Sequence, residues 1–436
     1  MTYAVFVVTA AHIGRGEDAP DKPMTNAIAT PQQFAAERDV AAMWETDVVK
    51  RARATVGYSF AMAHGIDVPE DERETFDAAM DEYVTNYLFK AAASDGAHPR
   101  FVRDFMPAYA WDGRHVHGAR MGGDNPDNIY QLAGITHGGR YRVTGTATGK
   151  PPAQISLTLT GNYGTSVTIH TLESHELQCD ADGGFVLTID DRPADGRPNH
   201  LTTAPHVKFL FVRQSLEDWA TECGYALAIE RIDPVDTPPL TVGQMAEQGA
   251  FRAAEEVPLY FWFHRLFSGL PVNTVRPPLI SASVGGLVTQ AGVQGWFQLD
   301  ADDVVLIRYQ PAGAAYVALE LTDWWFRSLE ADRRTSSLTR AQSVADEDGW
   351  ITVVLARRDP GVMNWLDAGD RERVLFLGRW QGLPSQVVAG GPQIETTVMK
   401  RDALPMALLD RQAITAERRQ RQIDDRVAAW NQRITV

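Results

Sequence analysis

Cysteine is nearly absent from this chain of 436 residues. Only Cys179 and Cys223 occur, too few for a disulfide framework or a four-cysteine zinc site. Free buried thiols are the expectation for both. Long apolar runs are missing as well. The run Ala4-Val5-Phe6-Val7-Val8 is too short to cross a bilayer and has no basic residues before it, so a cytoplasmic protein is expected, with no membrane partner. Basic charge is in deficit. Lys and Arg number 41 against 56 Asp and Glu, a net −15, which repels phosphate backbones and argues against a nucleic-acid partner. The run Arg418-Arg419-Gln420-Arg421 is followed at once by Asp424-Asp425 and reads as a helix surface. No P-loop, dinucleotide fingerprint, nucleophile elbow or kinase signature is present. Gly285-Gly286 reproduces no phosphate-cradling spacing and reads as a turn. No cofactor is therefore expected.

What is present alternates between two periods. Helical spacing dominates a first region, residues 1–110. Thr30-Pro31-Gln32-Gln33 has the form of a capping box with proline at the first helical position. Phe34, Val40, Ala41, Trp44 and Val48 follow at helical intervals. Phe76, Met80, Tyr83, Val84, Tyr87 and Leu88 form a second stripe, with Gly65 and Gly96 as stops. Asp77, Asp81 and Glu82 then fall on its solvated side. From residue 111 to 235 the period is two. Tyr141/Val143, Ile155/Leu157/Leu159, Phe185/Leu187/Ile189 and Tyr225/Leu227/Ile229 mark half-buried strands separated by Gly, Asn and Asp. Residues 236–282 form a helical connector, which includes Tyr260-Phe261-Trp262-Phe263-His264. Residues 283–402 return to strands. Residues 403–436 are helical, with Ile423, Val427, Trp430 and Ile434 on a docking face. The whole reads as α+β: antiparallel β-sandwich cores, a helical N-terminal region, a helical connector and a C-terminal helix.

Two polar, turn-forming clusters stand out. One is Gly122-Gly123-Asp124-Asn125-Pro126-Asp127-Asn128-Ile129-Tyr130, which feeds the strand at Tyr141. The other is Asp359-Pro360-Gly361-Val362-Met363-Asn364-Trp365-Leu366-Asp367, which feeds the strand from Arg373 to Trp380. With His98-Pro99-Arg100, Trp325-Phe326-Arg327-Ser328-Leu329 and Ser336-Ser337-Leu338, these resemble bacterial proteins that carry the domain of unknown function 1214. The resemblance covers about residues 95–400 and implies a β-rich body without specifying an activity. The chain departs from that pattern at Asp323, where the family tends to carry Asn.

Candidate chemistry follows from residue type and position. Asp127 or Asn128 is a candidate to line a cleft, with Asp127 acting as base or oxygen ligand, although Asx residues and proline also build turns unaided. His115 and His117 share one face of an extended segment, a spacing that holds a metal only with a third ligand. No companion motif supplies one, and no metal is expected. His170 to Glu176 reads as a connecting hairpin. Arg327 lies in a family signal. Arg379 shares a strand face with Leu375 and Leu377, and Arg308 shares one with Leu306. A charge on an apolar face needs a carboxylate such as Glu320, or a ligand. Tyr130, Trp324, Trp325, Asn364 and Trp365 are candidate substrate-binding residues. The expected function is a cofactor-independent enzyme that holds a small, largely apolar cyclic metabolite (terpenoid, steroid or aromatic) in an aromatic-lined pocket, with Asp127, Arg327, Arg379, His115 and His117 as catalytic candidates. A carbohydrate-active or carbohydrate-binding sandwich, or a non-catalytic assembly protein, is the alternative. A small molecule is the expected partner, and a homo-oligomer is compatible.

Overall fold

The computed structural model describes residues 27–63, 68, 70–111, 114–280, 289–384 and 391–434. Gly65, the pair Gly285-Gly286, the 4–8 run and the side chain of Ile434 lie outside the described residues. The architecture is α+β, two antiparallel β-sandwiches flanked by helices. No described helix is long and apolar enough to cross a membrane.

After a short hairpin, β1 (Tyr109–Trp111) and β2 (Arg114–Val116), the first sandwich packs the sheet β3 (Asn128–Gly134), β9 (Phe209–Ser215), β5 (Gln154–Thr160), β6 (Thr168–Glu173) against β10 (Ala226–Arg231), β4 (Tyr141–Thr146), β7 (Phe185–Asp190), β8 (His200–Thr202). Strand β4 alternates strictly, with Tyr141, Val143 and Gly145 inward and Arg142 and Thr144 outward, the signature of a sheet wet on one side. Strand β5 is buried at every position, because other elements cover both of its faces. Its inner residues Leu157 and Leu159 meet Val143, Leu187 and Val212 in the sandwich core. His170, expected in a hairpin, lies within strand β6, where its ring accepts from the Thr202 backbone N–H at 3.0 Å.

The second sandwich is built alike. Strands β11 (Thr274–Val275), β13 (Ala291–Gln298), β19 (Arg373–Gln381), β15 (Tyr316–Thr322) and β16 (Ser337–Thr339) form one sheet, with β12 (Leu279–Ile280) also paired to β13. Strands β18 (Trp365–Asp367), β17 (Ile351–Ala356), β14 (Asp303–Tyr309) and β20 (Ile394–Lys400) form the other. Val293, Ile307, Leu319, Val353, Phe376 and Trp380 fill the space between them. Arg308 of β14 faces solvent, paired with Asp348 and stacked 4.4 Å over Trp350.

Helices α1 (Pro31–Trp44), α2 (Asp47–Ala63), α3 (Arg73–Ala93) and α4 (Val242–Glu256) pack together on the outer faces of both sandwiches, with α5 (Tyr260–Ser268) after them. Thr30 caps α1 by accepting from Gln33 N at 3.1 Å. The reciprocal half of the box is absent, since Gln33 instead accepts from the Arg103 backbone N–H at 2.7 Å. The complete box is at Thr241 and Gln244, ahead of α4. Helix α3 is buried from Glu82 to Ala93 on every side, so its apolar stripe is only part of its packing surface. Asp77 and Asp81 are exposed as expected. Glu82 is not: it is buried and bonds Arg120 at 2.6 Å and Arg327 at 2.9 Å. A glutamate on a helix that is enclosed all round can stay ionised only by gathering such partners.

The C-terminal segment forms α6 (Met406–Gln412) and α7 (Ala416–Ile434). Trp430 docks as expected, its ring 5.6 Å from Trp219 among Ile28, Ile129 and Leu216. The face is rotated from the apolar stripe, since Arg419 and Arg426 are buried while Ile423 and Val427 lie at its flank. Their guanidinium heads reach acceptors, Asp359 for Arg419 and the Ala331 carbonyl for Arg426, so their stems can cover apolar surface. Both cysteines are exposed free thiols, which overturns the expectation of burial. Each sits in an irregular connecting segment rather than inside a sheet.

Candidate functional site

A cleft of about 310 Å³ opens where the helices meet both sandwiches. Its floor is the outer face of β3 and β9. Side chains repeat every two residues on a strand, so β9 presents Phe209, Phe211 and Arg213 together, and the register sets Tyr130 of β3 opposite Arg213. The Tyr130 and Phe211 rings stack at 5.8 Å and 9°, and Phe105 lies 4.7 Å from Tyr130. Tyr87 of α3 and Tyr260 and Phe263 of α5 complete an aromatic wall.

The second wall is the glycine-rich loop 121–124. Gly122 and Gly123 both have positive φ, 62° and 75°, which glycine adopts without strain. A Cβ on Gly122 would stand 2.7 Å from the Tyr260 ring, so the glycine also allows that ring to approach. The segment from Trp325 to Leu329, 200 residues away, braces this loop. Gly123 N donates to the Phe326 carbonyl at 2.9 Å, and Phe326 itself is held at a φ of 59°, a costly conformation for a bulky residue. Ser328 donates to Asp124 through its N–H at 3.0 Å and its hydroxyl at 2.7 Å. Arg379 of β19 donates to the Gly123 carbonyl at 2.6 Å and pairs with Glu320.

Burial dominates the electrostatics. It pushes the Asp124 carboxyl up to about 6, against the pull of the Ser328 backbone and Arg120. Burial also pushes Glu320 up to about 8, against the pull of Arg379, and Tyr130 up to about 12. Burial drives the Arg213 guanidinium down. Behind the cleft wall lies a fully buried pair, Lys90 and Asp104, 4.0 Å apart. Lys90 Nζ stands 4.9 Å from the Tyr87 ring and 5.2 Å from the Phe105 ring. Burial lowers the lysine and raises Asp104 to about 7. The Tyr87 hydroxyl donates to Glu256 at 3.1 Å. Asp124 is thus the cleft carboxyl whose proton exchange burial brings toward neutral pH, while the same burial holds the Tyr87, Tyr130 and Tyr260 hydroxyls protonated.

Of the candidate catalytic and binding residues read from sequence, Arg379, Tyr130 and Asn128 line the cleft, and the rest lie elsewhere. Asp127 is fully buried and accepts from Trp219 Nε1 at 2.9 Å, Tyr316 Oη at 2.7 Å and Ser337 Oγ at 3.4 Å. Arg327 bridges Asp323 at 2.8 Å and Glu82 at 2.9 Å. His115 and His117 are exposed, their rings 5.3 Å apart, and no third His, Cys, Asp or Glu among the described residues completes a ligand group. Trp324 packs 4.7 Å from His264. Trp325 lies 5.0 Å from Phe76 and donates to Thr75 Oγ1 at 2.9 Å. Asn364 clips the Val344 and Thr352 carbonyls, each at 2.8 Å. Trp365 donates to the Ala356 carbonyl at 3.0 Å beneath Arg419.

The sequence reading missed Arg213, Phe105, Phe211, Tyr87 and Tyr260 as site residues. Arg213 carried the same signal as Arg379, a cation two and four residues along from Phe211 and Phe209 on one strand face. Nothing local distinguishes Phe105 or Tyr87 from core residues.

No family model matches the chain, and no curated protein matches it. Among solved structures, an uncharacterized protein from Burkholderia cenocepacia is similar over 85% of this chain and 99% of its own, at 26% identity and a TM-score of 0.68. A protein from Vibrio parahaemolyticus covers 74% of this chain and 99% of its own at 11% identity and a TM-score of 0.38. The Burkholderia protein therefore shares this arrangement of sandwiches and helices over nearly its whole length.

Proposed function

We propose that this chain is a cofactor-independent enzyme, acting in the cytoplasm, whose substrate is a small, largely apolar cyclic metabolite held in the cleft. One observation carries the reading: six aromatic rings from five parts of the chain wall one cavity, and a few polar groups, Arg213, Arg379, Asp124 and Glu256 among them, line it as well. Such a two-part lining is what a ligand pocket needs, apolar area for affinity and a few fixed polar groups for orientation. The volume is near the lower end for small-molecule sites, which favours one- or two-ring aromatics and terpenoids over steroids. Among the described residues the lining contains no tryptophan, which favours this reading over a carbohydrate site built on indole stacking. Asp124, with its carboxyl near 6, is suited to exchange a proton near neutral pH. The reading also gives the 122–130 cluster a function as cleft wall, and with it we extend to this chain the resemblance to proteins carrying the domain of unknown function 1214.

The exposed face of α5 supports a second reading. Leu259, Trp262 and Leu266 are 57%, 65% and 51% exposed, an apolar surface that suits a contact with another copy. Sedimentation of Trp262→Lys against the parent tests it: a mass lower than the parent's is expected, and two monomers would refute it.

The enzyme reading is tested by incubating the protein with cyclic terpenoids and aromatics, following binding by ligand-detected NMR and turnover by mass spectrometry. Ser166→Trp, at an exposed lining position, narrows the cleft and should abolish both signals. Binding that survives Ser166→Trp, or an absence of binding across the panel, would overturn the reading.

A further inference from the structure

We infer that the substrate carries a carboxylate and that Arg213 receives it; this rests on the cleft being the substrate site. Arg379, the other lining arginine, is already satisfied by Glu320 and the Gly123 carbonyl. Asp124 takes both hydrogen bonds from Ser328, and Glu256 takes the Tyr87 hydroxyl. Arg213 differs. It is half-buried and has neither an ion pair nor a side-chain hydrogen bond among the described residues. Its guanidinium lies 4.4 Å from the Phe211 ring centroid. Asp104 and Glu173 are the carboxylates that act on it from a distance. Asp104 sits against Lys90, and Glu173 is engaged by Gln154 at 3.2 Å and by Thr289.

A half-buried guanidinium with no acceptor is costly to keep, and here its open side is the cleft. The register fixes its place, with Tyr130 across from it on one neighbouring strand and Ser156 on the other. Its planar fork matches a planar carboxylate with two parallel hydrogen bonds. A phosphate dianion fits the cleft less well, because Asp124 and Glu256 face the same space. A ring seated against Tyr130 and Phe211 brings an acid group one or two bonds away within reach of Arg213. The substrate class is then a compact cyclic monocarboxylic acid.

Calorimetry with phenylacetate and cyclohexanecarboxylate, each beside its neutral amide and with phenyl phosphate as a third arm, tests this on the full chain. The acids should bind the parent ~10–100-fold more tightly than the amides, the range for a charge-assisted hydrogen bond. Arg213→Gln and Arg213→Met should erase that preference and leave amide affinity unchanged. Urea midpoints at or above the parent's are expected for both variants, since the arginine gives up no protein partner. Acid and amide binding equally to the parent, and both lost in Ser166→Trp, would overturn the carboxylate inference while the cleft reading stands. Tighter binding of phenyl phosphate than of either acid would overturn it too. Binding of none of the probes would overturn both. Equal loss of acid and amide in Arg213→Gln would show that the residue only shapes the wall.

Discussion

Replacing Asp127 by alanine separates a structural carboxylate from a catalytic one. Asp127 is fully buried and serves as acceptor for Trp219 Nε1, Tyr316 Oη and Ser337 Oγ. It also lies near the buried Arg426 and Arg433, whose charges it offsets. In Asp127→Ala, the indole N–H and the tyrosine hydroxyl lose their acceptor, at ~1–3 kcal/mol for each stranded donor. Tyr316 keeps its bond from Asn125 Nδ2 at 2.7 Å, which holds its share to the low end. The two arginines also lose a counter-charge that acts on them through space rather than in an ion pair. Together the stranded donors and the lost counter-charge are expected to cost ~3–5 kcal/mol. Asp127→Asn keeps one oxygen for Trp219 but turns an NH2 toward a hydroxyl that already receives one from Asn125, so ~1–3 kcal/mol is expected. Urea unfolding at pH 7 measures both, and cleft-probe affinity measured well below each midpoint should equal the parent's. A loss under ~1 kcal/mol in Asp127→Ala, or intact stability with probe binding abolished, would refute the structural assignment.

Trp430→Ala should cost ~3–5 kcal/mol by emptying the contact with Trp219 and Ile28, and an unchanged urea midpoint would show that α7 does not depend on this face. Arg379→Met strands the Gly123 carbonyl and the Glu320 carboxyl, which is buried and, pushed up to about 8, holds its proton at pH 7; the lost hydrogen bonds should cost ~1–3 kcal/mol in the same assay, and no loss would mean that Glu320 does not depend on the arginine. Asp104 gives a pH dependence of definite sign. Its folded carboxyl, near 7, is above its ordinary 3.8, so the native state holds the extra proton between those values. The associated stability is complete below about pH 4 and is lost as pH rises through about 7, and Asp104→Asn should flatten that part of the profile. A parent profile that rises over the same window and is unchanged by the substitution would refute the assignment.

Strand β4 and its neighbours were legible because alternation in an antiparallel sheet that is wet on one side is written into successive residues. Arg379 was legible for a related reason: a cation on a strand apolar on both faces demands a partner, and Glu320, the partner named from sequence, is the one found. The same demand applied to Arg213 and passed unnoticed, because Phe209 and Phe211 read as ordinary core. Asp127 stands out in sequence as strongly as Asp124 three residues earlier. Which of them faces the cleft is decided by the turn at Pro126 and by contacts with Trp219, Tyr316 and Ser328, all at long sequence separation. The tryptophans misled because indoles bury well anywhere. Trp324 and Trp325 pack among helices, and the cleft takes its rings from Phe and Tyr instead. Helix α3 shows the same limit, since a helix enclosed on all sides carries Glu82, Asn86 and Lys90 inward and has no polar face to mark its orientation.

Whether the cleft holds a ring can be seen in a crystal of the protein soaked in phenylacetate and examined by difference density. A planar feature is expected between Phe105, Tyr130, Phe211 and Tyr260, with its carboxylate turned to Arg213. Density confined to another site, such as the groove between Trp219 and Arg426, or an empty cleft at a concentration that saturates binding in solution, would contradict it.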